Sequence, residues 1–236
     1  AQGDSDPQRG AAFLALADLD ARRGRIDTAK ELALPVADGR YGASPQTRWD
    51  AMWLMARLLH NESNRRTAYR AYREIETACS NPSDLARCLY EQAGLLVALS
   101  HSGLGRQCEA RQVLEDLLAR VSEGPGIVHE LRAKALLLRA ETLLHDGPPD
   151  TALAEFDRII SECADCPLQA GLAMLFRGHI FTMRGRVDPA SFAIAEECFA
   201  TLEHNAVAWD DPLRSEILMR RAVMGRFGIA SAQSDE

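Results

Sequence analysis

The sequence predicts an all-α protein, a solenoid of about five stacked helical hairpins followed by a C-terminal capping helix. Three observations carry this expectation. A glycine stands five residues before an alanine four times, as Gly24 and Ala29, Gly105 and Ala110, Gly147 and Ala152, and Gly185 and Ala190. Ser63 and Ala68 hold the same interval in a further unit. Twelve residues before these alanines come Ala17, Ala56, Ala98, Ala140 and Gly178, so small residues recur in pairs. The alanines step by about 39, 42, 42 and 38 residues, the range of helix-turn-helix repeats that stack on their neighbours.

Each hairpin follows from this frame. A small residue on a first helix and another on a second let two backbones approach closely across a turn. The repeats are expected near 10–43, 47–81, 84–124, 127–165 and 167–204, within a single domain over 10–230 that is flanked by polar residues 1–9 and 231–236. Asp27, Asp150 and Asp188 precede their alanines by two residues and read as N-caps, with Pro189 at the first helical position. Four residues after the anchors stand Ala33, Tyr72, Leu114, Phe156 and Ile194, and seven after stand Val36, Ile75, Leu117, Ile159 and Glu197. Except for Glu197, these form the buried stripe of a second helix. Residues 212–229 include Ile217, Leu218, Val223, Met224 and Phe227 and read as the helix that covers the end of the stack.

Together with the large residues Phe13, Met52, Leu136 and Met174 at one first-helix position and Leu59, Leu143 and Phe181 at another, the pattern resembles the tetratricopeptide repeat (TPR) from about residue 10 to about residue 203. The period exceeds the usual 34, as in extended variants of bacterial regulators and kinesin light chains, and Arg139 and Arg177 stand where a leucine is expected. The resemblance implies a right-handed α-solenoid whose first helices line a concave groove for a partner segment. The implied groove residues are Asp18, Arg22, Trp53, Arg57 and His60 in the first half of the chain. In the middle and second half they are Gln92, Lys134, Glu141, His145 and His179. Trp53 and Arg57 are the foremost pair, since aromatic and guanidinium groups dominate interface energetics, although Trp53 can equally pack between repeats. The lysine-asparagine clamp for chaperone tails is not matched, because Leu95, Leu137 and Leu175 hold its key position.

The 236 residues carry a net charge of −7, which disfavours nucleic acid as a partner. No apolar run reaches the roughly 18 residues that span a bilayer, so no membrane insertion is expected. The polar start Ala1-Gln2-Gly3-Asp4-Ser5-Asp6-Pro7 resembles what signal-peptide removal leaves. A periplasmic or otherwise exported location is the expectation, with the cytoplasm as alternative.

Cys79 and Cys163 both lie eleven residues after their anchors, each soon followed by another cysteine, Cys88 or Cys166. Disulfides Cys79–Cys88 and Cys163–Cys166 can form in an oxidising compartment, or the four are buried thiols at small-residue positions. Cys108 and Cys198 are expected free. Cys163-Ala164-Asp165-Cys166 has the spacing of redox and zinc motifs, but no strand pattern supports a thioredoxin-like unit, and no second cysteine pair lies close in the repeat order. His60, His101 and His145 fall near the C-termini of first helices and read as caps. With no metal motif, nucleophile elbow or phosphate loop, neither catalysis nor a cofactor or metal is expected.

Binding remains. The leading expectation is a non-catalytic adaptor that docks a protein or peptide segment in its groove in the bacterial envelope. The alternative is an extracytoplasmic sensory TPR domain of a membrane-anchored signalling protein such as a diguanylate cyclase.

Overall fold

The computed structural model describes residues 7–61, 64–79, 81–99, 106–121 and 127–205. Its ten α-helices are α1 (Pro7–Arg22), α2 (Ile26–Ala37), α3 (Pro45–Asn61), α4 (Arg65–Ala78), α5 (Pro82–Leu99), α6 (Gln107–Val121), α7 (Ile127–Asp146), α8 (Pro149–Glu162), α9 (Pro167–Arg184) and α10 (Ala190–Asn205). Among the described residues there is no strand. The described residues are all-α and the helices follow one another in the order that the repeat predicts. The cap helix expected at 212–229, His101, Ser63 and Gly105 lie outside the described residues. The helices fall into two compact units, Ala1–Arg120 and Val121–Glu236.

In the first unit α2 packs on both α1 and α3, and α4 on both α3 and α5. The reason lies in the stripes. Ala17 of α1, Ala29 and Ala33 of α2 and Leu54 and Leu58 of α3 share one core. Ala56 of α3, Ala68, Tyr72 and Ile75 of α4 and Cys88 and Leu95 of α5 share the next. In this unit α2 and α4 are each completed by the hairpin that follows, so their cohesion is a nearest-neighbour property. Between the first two hairpins the chain turns through Gly39 and Gly42, both at positive φ, with Tyr41 between them at φ 69. That conformation is costly for a tyrosine. The ring is held by Phe13, 5.1 Å away and stacked, and by the Arg9 guanidinium 4.9 Å above it.

The second unit repeats the plan, with α8 against α7 and α9, and α10 against α9. Phe156 of α8 stacks on Phe176 of α9 with centroids 5.4 Å apart. Leu175 of α9 meets Ala195, Phe199 and Leu202 of α10. Arg139 and Arg177, the departures from the leucine pattern, are explained by ion pairs. Arg139 of α7 donates to Glu155 of α8 at 2.7 Å. Arg177 of α9 donates to Asp157 of α8 at 2.8 Å and to the Cys198 sulfur of α10 at 2.9 Å. A guanidinium thus spans neighbouring helices where a leucine would only pack.

The last hairpin corrects the register. Ala190 is exposed, and the buried stripe of α10 runs through Ser191, Ala195, Cys198 and Leu202. The anchor is therefore Ser191, one residue later than expected, because the turn after Gly185 is one residue longer. This shift also explains Glu197, which failed to fit the stripe and is exposed.

Capping differs too. Asp188 behaves as expected, accepting from the Ala190 amide at 3.2 Å and from the Ser191 hydroxyl at 2.9 Å. Asp27 and Asp150 lie inside the first turns of α2 and α8, preceded by Arg25 and Pro148 at the cap positions. Their charge favours the helix N-terminus without a side-chain cap bond.

Candidate binding surface

In the second unit an open groove of about 850 Å³ runs along the turn ends of the hairpins. Leu144 of α7, Ile180, Phe181 and Met183 of α9, Val187 of the turn and Ile194 of α10 supply its apolar walls. Val187 is 91% exposed and Met183 46%, although a soluble surface seldom clusters such side chains. His145 and His179 line the same groove.

Polar groups fix the rim. Arg184 pairs with Asp150 at 2.5 Å, tying the end of α9 to the start of α8. The Arg184 and Arg177 guanidiniums lie 5.6 and 5.3 Å from the Phe181 ring centroid, close enough for cation–π attraction. Asp188 is engaged by Ser191. The groove thus presents exposed apolar side chains on a floor of packed helices, which suits an apolar segment.

The other expected groove residues do not gather into one site. Asp18 and Arg22 form a one-turn ion pair of 2.7 Å on α1. Lys134 pairs with Glu130 at 2.6 Å on α7. His60, in the last turn of α3, lies 3.9 Å from Glu91 of α5. Trp53 packs: its ring stacks on Trp49 at 5.1 Å and meets the buried Tyr72 edge-on at 5.1 Å. Arg57 beside it is exposed. Gln92 requires a correction. It is fully buried, and its amide donates to Glu76 of α4 at 2.9 Å, so it serves the α4–α5 contact and cannot meet a partner in a groove.

Glu141, one helical turn before His145, is half-buried on α7. Burial pushes its carboxyl up to about 7, since nothing charged compensates the lost hydration.

The expected disulfides are not formed, and all six cysteines are free thiols. Cys88 is turned inward and donates to the Tyr72 carbonyl at 3.0 Å, while Cys79 donates to Asn81 at the end of its own helix. Cys163 and Cys166 bracket the α8–α9 turn, where the Cys166 amide donates to the Cys163 carbonyl at 2.9 Å. Burial raises the thiol of Cys88 to about 12 and also raises those of Cys79, Cys163, Cys166 and Cys198.

Sequence reasoning missed Met183 and Val187. The available signal was a lone valine in the polar turn Arg184-Gly185-Arg186-Val187-Asp188, in the one unit whose register slips.

The stacked hairpins, shared cores and paired small residues define a TPR-like helical repeat fold. The solved structures of a Podosopora anserina kinesin light chain with nearly identical TPR-like repeats, and of a single-substitution variant of it, are similar to this chain. The variant has a TM-score of 0.57 and the other structure 0.56, each at 15% identity, covering 93% of this chain and 98% of that one. No protein-family model and no curated protein matches the sequence.

Proposed function

We propose that this protein is a non-catalytic scaffold that holds an apolar segment of another protein in the groove between Leu144 and Ile194. The observation that carries the reading is the concentration of accessible apolar side chains, Met183 and Val187 above all, over an ordered floor in a fold that generally mediates protein–protein contact. The occupant is a short amphipathic helix or extended strand whose apolar face covers Phe181, Met183 and Val187. Its polar edge meets His145, His179 and Arg184. Association would bury the exposed apolar surface, with side chains rather than backbone adapting.

We further propose that the encounter takes place in the bacterial envelope; cell fractionation reads this directly. The groove is tested by affinity capture from the native source, comparing wild type with Met183→Glu/Val187→Glu. Both residues are exposed, so the helical circular dichroism spectrum should be unchanged. A partner held by the wild type and lost by at least tenfold from the variant supports the reading. Equal capture by both would remove the groove from it.

A further inference from the structure

Away from the groove, three donors of different kinds converge where α7 begins and α8 turns into α9. His129 sits in the first turn of α7, and its Nε2 lies 2.8 Å from Oδ1 of Asp165 in the turn. The Cys166 sulfur, at the head of α9, completes a group whose ligand atoms all lie within 4.8 Å of one another. The three line an open recess of about 390 Å³ together with Glu130 and Leu168. Burial is graded across the set: Cys166 is 7% exposed, the His129 side chain 37% and the Asp165 side chain 68%. A donor set with a buried sulfur at its base and an imidazole and carboxylate at its mouth is open to an ion from solvent.

We propose that His129, Asp165 and Cys166 form a binding site for a divalent transition metal ion of the zinc class. The chemistry of the donors selects it. Thiolate with imidazole favours zinc and its neighbours over magnesium or calcium, which take all-oxygen sets. In a tetrahedral zinc site with bonds of about 2.0 to 2.3 Å, ligand atoms stand roughly 3.3 to 3.6 Å apart. The His129–Asp165 pair must open by about half an ångström, and the sulfur must close by about 1.2 Å at most. Both movements are within the reach of side-chain rotation, because His129 and Asp165 are partly exposed.

On binding, the Cys166 thiol releases its proton to solvent and the imidazole proton shifts to Nδ1, leaving Nε2 to bind the ion. Three protein ligands leave the fourth position to water. Since His129 comes from α7 and the other two from the α8–α9 turn, the ion would clip two consecutive hairpins of the second unit. The turn is already set for this by the Cys166 amide bond to the Cys163 carbonyl. This site is independent of the partner groove, and either can fail without the other.

The test titrates cobalt(II), then zinc, into the reduced, metal-free chain. Cobalt should give a thiolate-to-metal charge-transfer band at one ion per chain, displaced by zinc, and zinc should raise the melting temperature. Cys166→Ser should abolish the band. His129→Ala and Asp165→Asn should weaken zinc binding at least tenfold, measured against a competing chelator. Cys163→Ser and Cys108→Ser should bind as the wild type does. Zinc binding without a thiolate band, or binding unchanged in Cys166→Ser, would overturn the proposal as adventitious surface coordination. Loss of binding in Cys163→Ser would overturn the ligand set. The circular dichroism spectrum of each variant shows whether it is folded, and His129→Ala and Asp165→Asn change partly exposed side chains, so a misfolded Cys166→Ser leaves the test intact.

Discussion

Replacing Gly178 with alanine sets two physical effects against each other. Gly178 lies in α9 at the small position of the last hairpin and is buried. On helix propensity alone, glycine to alanine in a helix interior should stabilise by about 0.5–1 kcal/mol. The structure predicts the opposite sign. A Cβ at this position would stand 2.9 Å from Cε1 and 3.0 Å from Cζ of Phe199, and 3.2 Å from Cβ of Cys198. Phe199 is fully buried among Leu175, Ala195 and Leu202 and has nowhere to retreat. Overpacking of this kind costs about 1–3 kcal/mol, so the net effect is a loss of up to about 2.5 kcal/mol once propensity is subtracted. Urea unfolding followed by circular dichroism measures it. Gly178→Ala combined with Phe199→Leu should recover part of the loss, because the smaller side chain removes the clash, and the coupling would appear as non-additivity. A stabilised Gly178→Ala variant would refute the close-contact reasoning for the whole repeat.

Three further outcomes follow from particular groups. Between its ordinary 4.5 and its folded value of about 7, Glu141 keeps a proton in the folded state that the unfolded chain has lost, so stability falls as pH rises through that window and levels off above it. The loss is on the order of 3 kcal/mol at most, and Glu141→Gln should flatten this part of the pH profile and stabilise the protein at pH 8. Trp53→Ala should cost about 2 kcal/mol in thermal or urea unfolding through lost contact with Trp49 and Tyr72, whereas Arg57→Glu should change stability by less than about 0.5 kcal/mol. In the native protein an alkylating reagent should label the exposed Cys108 first, with Cys88 and Cys198 protected until unfolding; mass mapping after a short pulse checks the order.

The hairpins were legible because the constraint that makes them is local and periodic. A small residue is required wherever two helices approach, and Ala17, Ala29, Ala56, Ala68, Ala140 and Ala152 are all fully buried. The same periodicity misled in the last unit, where the turn after Gly185 gained a residue and a neighbouring serine took the slot of Ala190. A repeat fitted by spacing absorbs one added residue without protest, and only the misfit of Glu197 betrayed it. The groove was half legible. His145 and His179 could be named from the sequence, but Met183 and Val187 owe their exposure to how the turn ends leave the stack, which composition does not encode. Gln92 shows the reverse error: a polar residue at a groove position was turned inward because Glu76 offered its amide a partner. The His129–Asp165–Cys166 convergence joins residues 36 apart, and no spacing rule within a single helix could have found it.

The groove beside Met183 and Val187 is proposed to hold a segment of another protein. Photo-cross-linking tests it most directly, with a benzophenone side chain placed at Met183, at Val187, or at Arg73 on the exposed face of α4, and the protein irradiated in its native source. One shared partner should be captured from positions 183 and 187 and be absent from position 73, with the adduct mapping to a single apolar segment of that partner. Capture from position 73 alone, or different neighbours at 183 and 187 without a common segment, would contradict it.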